Sequence, residues 1–429
     1  ERPVSPWVGL LFLTLFQILT VFQLLSSVGD EASPAIPTAF FCLIAVMWGY
    51  FLAMRSIRRV GFEMESIAFF LSTLSLAVTA SSAPGSLFKQ LAALLLGLVL
   101  FVVLGVFLRD LDRVKRISWL MAGGAILLLG ATLVLGQAKF GAVNWITFGG
   151  FSLQPSELAK ICYIFAGAAT LDRLFRKRNL GLFMALTAAC LGCLALMSDF
   201  GTAAIFFVTF LVIAYLRSGD WATLTLISGG AVFAVAILLT FKPYILKRFA
   251  TWGHAWEYAS SGGYQQTRTM SAAASGGLVG VGAGEGWLHR VAAADTDLVF
   301  GMLCEEWGLI IGVLSVLCIV TLAVFAVRAC HAGRSSFYTI AACAATSLLV
   351  FQTCLNVFGA VDLLPLTGVT FPFVSNGGSS MVASWGLLAF LKATDTRQNA
   401  SFAIRLPSWK EEHSVLLNRP IQEEVDEDA

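Results

Sequence analysis

The chain has 429 residues, of which 58% are hydrophobic and 13% charged, and its mean hydropathy is +0.81. A soluble protein of this length carries about 25% charged residues, so a water-soluble enzyme is excluded and an all-α polytopic membrane protein is expected. A net charge of +2 leaves no basic surplus for nucleic acid.

Apolar runs long enough to cross a bilayer give about twelve expected spans. In chain order they are 7–29, 36–54, 64–83, 87–108, 117–137, 155–172, 180–197, 201–217, 221–242, 298–327, 337–359 and 377–393. The first is longer than a signal-peptide core and lacks a strong basic flank, so it reads as a retained helix. Basic clusters at Arg55, Arg58 and Arg59, at Arg109, Arg113, Lys115 and Arg116, at Arg173, Arg176, Lys177 and Arg178, at Arg217, and at Arg328 and Arg334 fall in alternate loops. Such clusters stay in the cytoplasm. That places both termini there and turns 138–154, 243–297 and 360–376 outward. The polar end from about 394 closes on "EEVDEDA" and reads as an acidic, unstructured tail. The nine cysteines lie within or beside apolar runs, and Cys190 and Cys193 read as buried small residues rather than a metal or redox pair.

Charge inside apolar sequence marks candidate function. Glu157 and Lys160, three apart at the start of a span, share a helix face, either as a structural ion pair or as the wall of an outward cavity. Asp199 either caps the helix that follows or lines the same cavity. In "LPLTGVTFPFVSNGGSS", two prolines interrupt the helix, and Ser375 and Asn376 offer N-cap chemistry. Gly377, Gly378 and Ser379 then present backbone N–H groups at a helix start, which suits an anion. "SGGLVGVGAGEG" is no nucleotide fingerprint and reads as a flexible or closely packed loop. In "ADTDLVFGMLCEEWG", a helix begun at 297 would align Asp297, Gly301, Cys304 and Gly308 in a small-residue stripe that admits another helix. Asp297 would top that stripe at the mouth of the bundle, where an aspartate at a helix start already serves as a cap. Asp295 would be exposed, and Glu305 and Glu306 buried as helix-packing or cavity partners.

Five segments in this order, "GAVNWITFGGFSLQPSELAK", "SDFGTA", "GGYQQTRTMSAAASGGLVGVGAG", "DTDLVFGMLCEEWGL" and "LPLTGVTFPFVSNGGSS", resemble the SEDS family, the RodA/FtsW/SpoVE proteins of bacterial cell-wall synthesis, over roughly 64–395. The resemblance implies a bundle of about ten helices with a large extracellular loop at 243–297. Here an N-terminal two-helix hairpin (1–60) precedes that core (61–395), and a cytoplasmic tail (396–429) follows it. The chain departs from the family pattern in four places. Asn144 stands where Arg often precedes Trp, and Met197 and Ser198 where Gln-Pro precedes the aspartate. Ala292 and Ala293 replace Pro-Glu, and Asn376 replaces a Tyr.

The resemblance implies a peptidoglycan glycosyltransferase of the bacterial cytoplasmic membrane, serving cell shape, division or sporulation. It would polymerise lipid II with inversion, with Asp297 matching the required carboxylate and acting as general base. Glu157, Lys160, Asp199, Arg248, Gln265, Arg268, Ser375, Asn376, Gly377, Gly378 and Ser379 are the expected substrate-binding residues, with Lys160, Arg248 and Arg268 toward the pyrophosphates. A divalent cation, Mg²⁺ or Mn²⁺, suits carboxylates and pyrophosphate. The implied partner is a class B penicillin-binding protein, a transpeptidase. The alternatives are a lipid II flippase and an inactive paralogue that scaffolds a transpeptidase.

Overall fold

A computed structural model describes residues 6–27, 34–139, 142–148, 151–169, 177–222, 225–230, 232, 250–331, 335–395, 397 and 400–401. Most of the expected span 221–242, Arg248 and the acidic tail beyond 401 lie outside these residues. The described helices, in chain order, are α1 (Pro6–Ser27), α2 (Ala35–Ser56), α3 (Glu63–Ser82), α4 (Leu87–Phe107), α5 (Leu111–Leu135), α6 (Pro155–Ala169), α7 (Lys177–Leu196), α8 (Phe200–Ser218), α9 (Tyr264–Gly276), α10 (Val299–His331), α11 (Ser336–Ala360) and α12 (Gly378–Ala393). Among the described residues, eight are long and apolar enough to cross a membrane, namely α1–α5, α8, α10 and α11. The protein is a multi-pass, all-α membrane protein.

The entries to two buried helices explain where a cavity forms. Nearly every described residue of α6 and α12 is buried. α12 has 16 residues, and at about 1.5 Å per residue it does not span a hydrocarbon core of about 30 Å. Both helices are entered through irregular or extended chain. Backbone of this kind survives at membrane depth only when packed inside protein or lining a polar cavity. Ahead of α6 this chain is a small antiparallel sheet, β1 (Gln137–Lys139), β2 (Ala142–Phe148) and β3 (Phe151–Leu153), in order β1-β2-β3. Ahead of α12 it is the stretch 361–377.

The bundle packs around Trp385 of α12, which is fully buried and meets Phe69, Phe101 and Phe373 edge-on, with centroids 5.1, 5.7 and 6.0 Å away. The hairpin α1–α2 is tied to this core by polar side chains. Gln17 Nε2 donates to Thr73 Oγ1 at 3.0 Å, Tyr50 donates to Glu65 Oε1 at 3.1 Å, and Ser27 donates to the Ala283 carbonyl.

α10 breaks at Gly308 (φ 81°, ψ 165°), and the glycine-rich stretch fills the break. Leu309 N and Ile310 N donate to the carbonyls of Gly277 and Leu278, while Val281 N and Gly282 N donate to those of Glu305 and Glu306. Of its two expected forms, the stretch takes the closely packed one. The small-residue stripe likewise receives α9: a Cβ on Gly301 would strike Thr269, and one on Gly276 would strike the Cys304 carbonyl. Gly280 (φ 87°) faces the Glu306 carbonyl, with Gly308 N 2.7 Å from where its Cβ would lie. Gly280→Val is therefore expected to destabilise the fold by about 1–3 kcal/mol, seen as a lowered thermal midpoint in detergent. Gly9→Ala, with nothing within 4 Å of the added carbon, should leave that midpoint in place.

Candidate active site

The chain segments ahead of α6 and α12, the start of α8 and the turn before α10 enclose a cavity of about 360 Å³. Asn144, Trp145, Gln154, Ser198, Asp199, Ala293, Asp295, Thr296, Asp297, Thr367, Gly368, Asn376, Gly377 and Ser379 are among the residues on its wall. Four of the five segments quoted above thus converge. Three carboxylates face the cavity, and none of the described lining residues is Lys, Arg or His.

Asp297 sits half-buried in a tight turn, two residues before α10 begins, not on the helix itself. The Ala293 carbonyl accepts from Asp297 N at 2.9 Å and from Thr296 N and Leu298 N at 3.3 Å each. The turn is fixed from outside too. Ser375 Oγ donates to the Thr296 carbonyl at 2.6 Å and accepts from Phe371 N at 2.8 Å. Asn356 Nδ2, on α11, donates to the carbonyls of both Asp297 (3.0 Å) and Val369 (2.8 Å). Gly368 (φ 71°) lies against the carboxylate, with Asp297 Oδ2 3.3 Å from where its Cβ would be. Two lining residues, Ser198 (φ 63°) and Ala293 (φ 61°), hold left-handed backbone without being glycine. Strain of this kind persists only where the surroundings impose it, and it clusters at functional sites.

Asp295, expected to be exposed, is a half-buried part of the wall. Its Oδ2 accepts from Asn376 Nδ2 at 2.7 Å and its carbonyl accepts from Asn376 N at 2.8 Å. Because 293–298 is a turn, a helical phase counted from 297 does not apply to it. Asp199 does both things expected of it: Oδ1 accepts from Thr202 N at 3.0 Å, capping α8, and the residue lines the cavity. Ser375 and Asn376 do not cap α12. Gly377 is the cap residue, no side chain bonds there, and both polar side chains turn to 295–297 instead. Gly377 and Ser379 line the cavity; Gly378 packs toward Ala93.

Lys160 and Glu157 lie behind the wall. Lys160 is 0% exposed, and its Nζ donates to Glu157 Oε1 at 2.8 Å and to Gln352 Oε1 at 2.9 Å. Gln352 Nε2 donates in turn to Thr370 Oγ1 at 3.0 Å, and Thr370 meets Ser380 at 2.7 Å. The pair supports the cavity floor through this chain but does not reach the cavity. Gln265 Nε2 donates to the Ala292 carbonyl at 2.9 Å, steadying the approach to the turn. Arg268 is exposed and sits 5.3 Å from the centre of the Tyr264 ring, outside the wall. Arg248 is outside the described residues. Glu305 and Glu306 are buried away from the cavity. Glu305 accepts from Trp287 N (2.9 Å) and Leu288 N (3.0 Å), and so holds the loop that leads to the aspartates.

Comparison with known proteins agrees with this geometry. The FtsW/RodA/SpoVE family profile, described as cell cycle protein, matches residues 55–400. The chain is 30% identical over 327 residues to the peptidoglycan glycosyltransferase RodA of Mycobacterium bovis, covering 71% of this chain and 69% of that one. It is 33% identical over 313 residues to a probable peptidoglycan glycosyltransferase FtsW of Tolumonas auensis, covering 69% and 81%. Among solved structures, a chain of a peptidoglycan synthase complex that coordinates polymerization and crosslinking superposes with a TM-score of 0.63 at 26% identity, over 78% of this chain and 97% of that one. The rod-shape-determining protein RodA of Thermus thermophilus gives 0.55 at 26% identity, over 77% and 94%. With most of its length matched in sequence and in fold, the chain belongs to the FtsW/RodA/SpoVE family.

Proposed function

We propose that this chain is a peptidoglycan glycosyltransferase that polymerises lipid II at the outer face of the bacterial cytoplasmic membrane. The observation that carries the reading is Asp297, fixed by three independent backbone anchors at the wall of a polar cavity. Asp297 takes the proton from the acceptor sugar hydroxyl. The hydroxyl oxygen bonds to the anomeric carbon of the donor, and the bond from that carbon to the pyrophosphate breaks with its electron pair on the phosphate. One carboxylate suffices, because a single displacement turns an α-linked donor into a β-linked product.

Pyrophosphate entering this cavity meets three aspartates and no cationic side chain among the described lining residues. That imbalance fits a divalent cation, Mg²⁺ or Mn²⁺, since hard cations favour carboxylate and phosphate oxygen. When bound, it supplies the positive charge that offsets the leaving group.

The alternating basic loops support cytoplasmic termini, with the hairpin as an addition to the family core. The solved neighbour from a complex that couples polymerization to crosslinking supports a class B penicillin-binding protein as partner. A second reading, an inactive scaffold, draws on Ala292 and Ala293 in place of Pro-Glu.

Complementation separates the two. In cells depleted of their own enzyme, wild type restores strand synthesis, while Asp297→Ala co-purifies with the transpeptidase and restores none. Failure of wild type to restore synthesis, with the transpeptidase still bound, would favour the scaffold, and restoration by the variant would remove Asp297 as the base. Ser375→Ala removes the bond to the Thr296 carbonyl and orphans Phe371 N, a loss of about 1–3 kcal/mol. It is expected to slow polymerisation roughly tenfold without loss of assembly, as measured by strand yield from lipid II.

A further inference from the structure

A second cavity, an apolar trough of about 480 Å³, lies between α2 and α4. Val46, Gly49 and Ala53 from α2 and Leu98, Val102 and Val103 from α4 are on its wall. Small residues on α2 leave a notch there: nothing lies within 4 Å of a Cβ placed on Gly49. The trough is remote from the aspartates. Ser86, just before α4, meets Asn376 at 3.3 Å, and Leu98 comes about 18 Å further along, at about 1.5 Å per residue. Its α2 wall also precedes residues 55–400, the stretch that matches the family profile.

The trough ends in arginine. On α4 the lining stripe leads, in steps of three and four residues, to Val106 and Arg109; on α2 it leads to Ile57 and then Arg58. Arg58 and Arg109 are exposed. Arg59 is buried, and burial together with the charge of Arg109 lowers its pKa from the ordinary value, so positive charge is concentrated here. Acids at this end turn to other cations: Glu63 to Arg397 at 2.8 Å, Glu65 to Lys392 at 3.0 Å and Asp110 to Arg113 at 2.9 Å. Arg55 turns away from the trough, its guanidinium 4.7 Å from the centre of the Trp7 ring.

α2 closes on a left-handed residue. Arg59 N donates to the Met54 carbonyl and Arg58 N to the Arg55 carbonyl, both at 2.9 Å, with Arg58 at φ 60°. Glycine is the usual residue at this position of a helix end. Arginine there carries backbone strain that the helix end does not need, and such strain clusters at functional sites.

We propose that the trough, with Arg58 and Arg109 at its end, holds one anionic glycerophospholipid, its acyl chain between α2 and α4 and its phosphodiester on the two guanidiniums. Lipid chains are as apolar as the trough, so the trough alone selects no lipid. Phosphate on arginine does, through charge-assisted hydrogen bonds. That the lipid belongs to the cytoplasmic leaflet rests on the orientation proposed above; the seat itself rests neither on that nor on the chemistry of Asp297.

The test is native mass spectrometry of the purified full chain in detergent, with phosphatidylglycerol and phosphatidylcholine supplied in equal amounts. Wild type is expected to retain one phosphatidylglycerol in preference to phosphatidylcholine. Arg58→Gly and Arg109→Gln should each cut that preference roughly fivefold. Glycine suits the left-handed backbone, so the thermal midpoint of Arg58→Gly without lipid should not fall, which separates lost binding from lost folding. Gly49→Leu fills the trough and should abolish the retained lipid. Arg55→Gln removes the same charge away from the trough and should leave the preference unchanged. No preference in wild type, or one that survives Arg58→Gly and Arg109→Gln, would overturn the proposal. An equal loss in Arg55→Gln would assign the preference to diffuse surface charge, and retention by Gly49→Leu would remove the trough; either overturns the seat. A polyprenyl phosphate that displaces phosphatidylglycerol at these residues would overturn the choice of a glycerophospholipid. None of these outcomes depends on polymer formation, so the seat and the glycosyltransferase reading fail separately.

Discussion

Asp297→Ala is expected to slow glycan polymerisation by about 10²–10⁴-fold, the usual contribution of a positioned general base, while leaving the fold intact. The anchors explain why the two effects separate. The turn is held through main-chain atoms: Asp297 N on the Ala293 carbonyl, Asn356 on the Asp297 carbonyl, and Ser375 on the Thr296 carbonyl. Removing the carboxylate leaves all of these in place, so the thermal midpoint should stay close to wild type. Single-turnover rates on lipid II check the first part, and thermal unfolding in detergent checks the second. A rate within tenfold of wild type would mean that the carboxylate is not the base.

The largest effect on stability is expected at Lys160. Its ammonium is fully buried, with Glu157 and Gln352 as partners. Lys160→Met leaves Glu157 without its counter-charge in the bundle interior, where breaking a buried pair costs about 3–5 kcal/mol. Replacing both members, as in Glu157→Gln with Lys160→Met, removes the stranded charge and should recover most of that loss. Thermal midpoints of the two variants decide it. A single variant as stable as wild type would show that the pair contributes little. A double variant as unstable as the single would assign the loss to packing. The single variant should also lower activity, because Gln352 loses its donor and shifts Thr370 and Ser380 at the cavity floor.

The membrane helices were legible in the chain because a bilayer imposes length and apolarity on each span, and Gly, Pro and charge punctuate them. The glycine-rich stretch and the stripe at Gly301 and Cys304 were legible for a related reason, since close backbone approach needs residues without bulk. Pairings between distant segments were not. Asp295 read as exposed from its own neighbourhood, and its partner Asn376 lies 81 residues away. The shared face of Glu157 and Lys160 follows from helical spacing, yet whether that face meets the cavity depends on Gln352, 192 residues on. The sheet at 137–153 gave no usable signal: two of its strands have three residues each, too few for alternation to register. Asn144 was visible as a departure from the family pattern, but the bond from its Nδ2 to Asp199 Oδ2, at 2.6 Å, appears only in the fold.

The most direct test of the central claim is polymer formation by the purified protein with its transpeptidase partner, in proteoliposomes with lipid II and Mg²⁺ or Mn²⁺, without ATP or an ion gradient. Glycan strands resolved on a gel are the expected result, since glycosyl transfer draws its driving force from the pyrophosphate bond. Absence of polymer under these conditions, with lipid II moved across the bilayer once a gradient is applied, would contradict it and identify a transporter.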